Sequence, residues 1–290
     1  MTAVQADPEP TVAGLRAGDD LDAVFACSRK DRLTARTGTP YLALELRDRT
    51  GAIPARVFRD ADLLAGRFDQ GDLVRVAGRV ERFRDELQVE LRAIARADDA
   101  DPAAFLPVAF RDLDELDGFL EHLAGEVRDP PFVALLADLL GDRALRGALR
   151  RTPCTRAGHH AYLGGLLEHT VAVSTLALET CTLHPRLDQN LLLTAAIVHD
   201  IGKTREFTLG AEIGLTDEGR LLGHVELGLR ILDERAAPLD EPRRLALAHC
   251  VLTHHGDRRP ATPEALALQR LNAIDATVKS ALEHGMPTGP

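Results

Sequence analysis

The stretch Ala195–Glu206, AAIVHDIGKTRE, decides how the chain is read. An apolar run ends in an adjacent imidazole and carboxylate, His199 and Asp200, and Gly202 and Lys203 follow at once. Polar groups left unpaired at the end of a buried helix are penalised. A divalent cation is a natural partner, because imidazole nitrogen with carboxylate oxygen suits Mn²⁺, Fe²⁺, Zn²⁺ or Mg²⁺. Alone, the pair fits a helix cap or a satisfied core pair as well. The question is whether other helices supply further ligands.

Around this stretch, from about Asp112 to the end, apolar residues recur with the helical period. Asp112–Gly125, Pro131–Leu140 and Arg143–Arg151 read as short helices. Tyr162–Leu183 reads as a long one, with His169 beside Leu166, Val173 and Leu176. Leu187–Asp200 is the helix that carries the His-Asp pair, and Glu206–Leu215 reads as a small hairpin. Thr216 then caps a helix that holds His224, with Leu221, Leu227, Gly228 and Ile231 marking its buried side. Glu241–His255 ends in His254-His255, with Gly256 placed as its C-terminal cap. Pro263–Glu283 sets Asp275 among Leu268, Leu271, Ile274 and Val278. His122, His184, His249 and His284 fit surface or packing positions. Each unsatisfied buried group costs roughly 1–3 kcal/mol. One shared cation site explains these placements better than a series of separate coincidences.

The N-terminal part follows a different period. LDAVFACSRK, PYLALELRD, GAIPARVF, DLVRVAGRV and LQVELRAIA alternate as strands, separated by turn residues such as Asp48-Arg49-Thr50-Gly51 and Gly71-Asp72. A helical segment over Asp60–Phe68 lies between the third and fourth strands. That order predicts a small closed barrel of the OB type. Such barrels hold single strands with aromatic platforms and basic grooves. Tyr41, Phe58 and Phe83 are the stacking candidates, with Phe58 favoured as core. Arg47, Arg56, Arg79, Arg82 and Arg84 are the phosphate candidates, or else a solvated face. The expected organisation is a flexible arm over 1–18, the barrel over 19–97, an acidic Pro-bearing linker over 98–108, and a helical domain over 109–290.

Composition bounds the rest. The net charge of −10 excludes blanket attraction to nucleic acid, so any such binding needs a local basic strip. Only three of the 35 basic residues are lysine, which makes Lys203 an unusual choice. The four cysteines form no CxxC and read as reduced thiols. No apolar run reaches the roughly 18 residues that a membrane helix needs. These features predict a cytoplasmic protein with no membrane partner.

The order His169, His199-Asp200, Asp275 resembles the H…HD…D pattern of HD-domain metal-dependent phosphohydrolases. With the barrel and the motifs HHAYLGGLLEHT, HDIGKTREF, TDEGRLLGHVELG and LTHHG, the chain from about Asp20 to Glu283 resembles the YhaM-type 3′→5′ exoribonucleases. The resemblance implies a small β-barrel (OB-fold) followed by an all-α HD bundle with a β-hairpin insertion. It implies His169, His199, Asp200 and Asp275 at a first ion, Asp200 bridging to a second, and His224 and His254 completing that one. His255 is either a further ligand or a substrate contact. Asp200 and Lys203 carry the catalysis, with Lys203 approaching substrate phosphate. His159 and His160 either line the phosphate pocket or act as a cap. Tyr41, Phe83 and Arg82 would hold the strand. The implied cofactors are two divalent ions, Mn²⁺ first, with Fe²⁺, Co²⁺ or Mg²⁺ as options. The implied partner is single-stranded RNA, with DNA as an option, and homo-oligomers are allowed. The implied reaction releases nucleoside 5′-monophosphates by attack of metal-activated water.

Three rivals remain at this level. One is a nucleotidase or cyclic-nucleotide phosphodiesterase on a small substrate, which has no use for a strand-binding barrel. Another is a di-iron oxygen-activating enzyme, which Lys203 argues against. The third is a non-catalytic nucleic-acid-binding protein with a structural metal, which would need no second open ion.

Overall fold

The computed structural model describes residues 10–210 and 212–285. Apart from the tip of a later hairpin, which groups with the first, the chain divides after Pro107 into two compact units, each with its own core. In the first, strands β1 (Asp20–Thr34), β2 (Pro40–Asp48), β3 (Gly51–Val57), β4 (Leu73–Phe83) and β5 (Glu86–Arg96) close into a barrel, with a short helix α1 (Ala61–Ala65) between β3 and β4 in sequence. The strand order is β1-β2-β3-β5-β4, and β3 closes on β5 by parallel pairing of Ala55 with Val89 and Arg56 with Glu90. Alternate positions fill the interior: Leu42, Leu44 and Leu46 from β2, Ile53, Ala55 and Val57 from β3, Val74, Val76 and Val80 from β4. β4 is irregular at Ala77/Gly78, where its register with β5 shifts.

Three features of this unit differ from the sequence reading. Residues 1–9 of the expected flexible arm lie outside the described residues, but the rest of the arm is seated. Leu15 joins the barrel core, and the Val12 N–H donates to Asp48 Oδ2 at 2.8 Å. The other Asp48 oxygen accepts from the Thr50 N–H at 2.7 Å and the Thr50 hydroxyl at 2.6 Å, so one carboxylate both closes a turn and holds the arm. Part of the expected linker is also docked: Phe105 packs with Val24, Ala26, Leu73 and Ala97, and Arg49 donates to the Ala104 carbonyl. Phe58, favoured as core, is 45% exposed. Val57 points inward, so the next residue points out, and the Phe58 ring lies 5.6 Å from that of Tyr41.

The second unit is helical: α2 (Leu113–Gly125), α3 (Pro130–Gly141), α4 (Arg143–Arg151), α5 (Gly165–Leu183), α6 (Gln189–Val198), α7 (Lys203–Glu206), α8 (Asp217–Arg235), α9 (Glu241–Thr253) and α10 (Pro263–His284). A two-stranded hairpin, β6 (Phe207–Leu209) with β7 (Ile213–Leu215), follows α7. Glu206, expected to open the hairpin, instead ends the α7 turn. Residues 286–290 of the expected domain lie outside the described residues. α6 is the centre. Every residue from Leu191 to Val198 is buried, and the helix packs on α5, α9 and α10. A helix that is apolar all round has no solvent face to offer, so whatever follows Val198 emerges inside the protein.

An ion cluster that the sequence did not suggest ties α2 to α4. Asp117 on α2 is buried and accepts from Arg146 at 2.7 Å and from Arg150 at 3.0 Å. Burial opposes ionisation of Asp117, and the two guanidinium groups outweigh it, holding the carboxyl below its usual range. The ionised carboxylate therefore stabilises the fold above its unfolded value, near about pH 4. That contribution is lost as the pH falls from there through the lowered folded value. Asp117→Asn is expected to reduce the unfolding free energy by about 1–3 kcal/mol at neutral pH. It should also flatten the acid limb. Urea melts at neutral and acid pH check both.

Candidate metal centre

α6 delivers His199 and Asp200 into the core, where each is at most 1% exposed. His199 Nδ1 donates to the Ala196 carbonyl at 2.8 Å, which leaves Nε2 as a free lone pair. α5 brings the His169 Nε2 within 3.2 Å of it, and Asp200 Oδ2 lies 3.5 Å from His169 and 3.4 Å from His199. The other oxygen, Oδ1, faces a second group. His254 Nε2, at the end of α9, is 3.4 Å away and His224 Nε2, on α8, is 3.5 Å away. His255 Nε2 is 2.6 Å from that of His224. Asp200 with His224, His254 and His255 offers four ligand atoms within 4.8 Å of one another, and Asp200 with His169 and His199 offers three.

These residues suit cations. His254 commits its Nδ1 proton to the Val251 carbonyl at 2.6 Å, so its Nε2 is an acceptor that faces another acceptor, Asp200 Oδ1. Both atoms are buried and without a hydrogen-bond partner. Such a pair is costly until something positive sits between. Burial lowers the basicity of His169 and His254, which keeps their imidazoles neutral as metal ligands must be. A donor set of imidazole and carboxylate fits divalent ions of the Mn²⁺, Fe²⁺ and Zn²⁺ kind.

Three local devices set this geometry. Gly202 lets α8 close in: a Cβ there would lie 1.9 Å from the His224 carbonyl and 2.4 Å from the Gly228 nitrogen. Glu206 then takes the His224 backbone N–H at 3.1 Å and lies 3.2 Å from its Nδ1. Lys203 is buried with its Nζ 2.6 Å from Asp200 Oδ2 and 3.4 Å from Cys154 Sγ. Burial works against the Lys203 charge, and Asp200 more than restores it. Burial would raise the Asp200 carboxyl, but the Lys203 ammonium holds it well below the usual range.

The expected site residues separate into groups. His169, His199, Asp200, His224, His254 and His255 come together as described. Asp275, implied as a direct ligand, reaches His169 from the opposite edge of the ring: its Oδ2 is 2.6 Å from Nδ1. This is where an outer carboxylate fixes a ligand histidine. Lys203 and His159 line a cleft of about 390 Å³ together with Arg156, Phe207, His224 and His255. Burial pushes His159 down to about 4, so it is neutral at physiological pH. His160 does not line that cleft and is 1% exposed, which corrects its reading as a pocket residue. In the barrel, Phe83 is 55% exposed with Arg84 over its ring at 5.2 Å, and Arg82 reaches the Asp85 carbonyl.

Sequence reasoning missed Cys154, Glu206, Tyr162 and Glu168. Cys154 stands alone in a loop and carries no spacing signal. Glu206 had one: it falls three residues after Lys203, one helical turn further on. Asp200→Ala is expected to abolish retention of divalent metal at both groups of histidines. Metal analysis after dialysis checks this, and undiminished content would sink the assignment.

Two family descriptions match the chain: "HD domain" over residues 166–277 and "OB-fold nucleic acid binding domain" over residues 27–95. Relatives carry the likeness across both. The chain is 28% identical over 270 residues to the "3'-5' exoribonuclease YhaM" of Bacillus velezensis, covering 89% of this chain and 85% of the relative. The protein of the same name from Halalkalibacterium halodurans is 27% identical over 284 residues, 93% of this chain and 88% of that one. The Bacillus subtilis protein is 27% identical over 270 residues, 89% and 85%. The likeness runs through barrel and helical unit in one order, so the chain is similar to the YhaM-type exoribonucleases along most of its length and carries an HD domain behind an OB-fold domain.

Proposed function

We propose that this chain is a metal-dependent 3′→5′ exonuclease that removes nucleoside 5′-monophosphates from single-stranded RNA, with DNA as a second substrate. One observation carries the reading: a single buried carboxylate, Asp200, divides its two oxygens between two sets of imidazoles, beside a lysine that lines a cleft. Two divalent ions bound there, Mn²⁺ first, would supply Lewis acidity, lowering the pKa of water to near neutrality and drawing charge from phosphoryl oxygens. Lys203 holds positive charge at the cleft wall, where negative charge accumulates on the phosphorane-like oxygens. Neutral His159 can exchange a hydrogen bond with the phosphate or with the departing 3′ oxygen.

The barrel gives a strand something to stack on. Tyr41 and Phe58 form a tilted pair of rings, with Phe58 exposed. Phe83 with Arg82 and Arg84 forms a second aromatic and basic patch at the β4–β5 turn. This equipment favours a polymeric substrate over a free nucleotide. Among the described residues no helix is long and apolar enough to cross a membrane, and the four cysteines are buried and unpaired, in keeping with a reducing cytoplasm.

Metal-replete protein incubated with 5′-end-labelled single strands of matched RNA and DNA sequence should give a progressively shortening ladder and free 5′-monophosphates. Turnover of mononucleotides alone would select the small-substrate phosphatase instead. Phe58→Ala should raise the KM for an oligonucleotide by about 5- to 100-fold, from about 1–3 kcal/mol of stacking per base. It should leave hydrolysis of a small phosphodiester unchanged. Equal loss on both substrates would remove the barrel from strand binding.

A further inference from the structure

His160 is a buried histidine with every polar atom engaged, and none of them faces the cleft. Its backbone is left-handed, at φ 51°, a conformation that persists only when the surroundings dictate it. The surroundings do so from several sides. Its N–H donates to Glu283 Oε2 on α10 at 3.0 Å, and its carbonyl accepts from the Cys154 N–H at 3.0 Å. At the start of α5, Gly165 leaves room for that carbonyl, since a Cβ there would lie 2.1 Å from it.

The ring is as constrained as the backbone. The Tyr162 hydroxyl gives its proton to Glu168 Oε2 at 2.8 Å, so at its 2.8 Å contact with His160 Nδ1 it accepts. Glu168 is itself held by Lys279 at 3.1 Å. The far nitrogen, His160 Nε2, donates to Asp275 Oδ2 at 3.0 Å, so both ring nitrogens carry protons and the ring is an imidazolium between the Glu168 and Asp275 carboxylates. That same oxygen takes the Nδ1 proton of His169 at 2.6 Å, which leaves the His169 Nε2 lone pair among His199 and Asp200. The chain of contacts thus runs from Glu168 through Tyr162, His160 and Asp275 to the His169 ring.

We infer that His160 is a positioning residue for the first metal ligand group, acting through Asp275 to fix the ring orientation and tautomer of His169. The inference rests on the metal reading of the site. Outer-shell partners of this kind change metal affinity by about 10- to 100-fold. Gln is the conservative replacement, because its terminal amide can donate to Asp275 from about the position of Nε2.

The test is Mn²⁺ titration of the full chain, with free Mn²⁺ read by electron paramagnetic resonance, alongside thermal melts of the metal-free protein. His160→Ala should weaken one Mn²⁺ site by about 10- to 100-fold and leave the other within about twofold. His160→Gln should restore most of the loss. Adding His160→Ala to Asp275→Asn should weaken binding no further than Asp275→Asn alone, because one residue acts through the other. Tyr162→Phe, which removes a single oxygen, should weaken the same site in the same direction and serves if His160→Ala does not fold. An unchanged isotherm, additive losses, or uniform weakening that tracks a lower melting temperature overturns the inference. A wild-type chain that binds no Mn²⁺ overturns the metal reading itself and the inference with it. Wild-type binding with unchanged variants overturns the inference alone.

Discussion

The second unit is built around a carboxylate with no water to face. Asp200 follows a helix whose residues from Leu191 to Val198 are all buried, so it emerges into the core. Its Oδ2 is met by the Lys203 ammonium and its Oδ1 by no hydrogen-bond donor. A buried anion of this kind is tolerated where positive charge surrounds it. Lysine supplies one part of that charge. Imidazoles from α5, α8 and α9 with lone pairs turned inward mark where cations would supply the rest.

The remaining helices hold those lone pairs in place. His199 and His254 each spend their Nδ1 proton on a carbonyl of their own helix, at Ala196 and Val251. His169 spends its proton on Asp275, and His224 is fixed by Glu206. In these four rings the nitrogen that is not pointed at the centre has a partner, which is how a protein selects a tautomer without a metal present. The close approach of α8 to Gly202 and the tether from His160 to α10 serve the same end, by bringing backbone segments to where these partners can reach.

The barrel solves a different problem, since its interior is apolar and its binding groups must face outward. Alternation alone produces this: Val57 closes the core and Phe58 is thereby exposed beside Tyr41. The acidic balance of the whole chain is no obstacle, because stacking on exposed rings does not depend on net charge. Arginines at the β4–β5 turn supply positive charge locally.

Much of this was written in the sequence. The change from period two to period 3.6 near residue 108 separates barrel from bundle, and apolar spacing alone picks out His169, His199, Asp200 and His254 as polar residues on buried faces; His224 is only half-buried, and Leu221, expected on its buried side, is exposed. Such patterns are legible because burial repeats along the chain at the pitch of the element. What tertiary structure decided is which nitrogen or oxygen meets which. Cys154 lies 46 residues from Asp200, and His160 lies 115 from Asp275, and no local pattern links such pairs. His159 and His160 are neighbours of the same type, yet one lines the cleft and the other is sealed behind Asp275. A left-handed residue at 160 turns the second ring away, and that turn is imposed by α5 and α10 closing on the loop rather than by the loop's own residues.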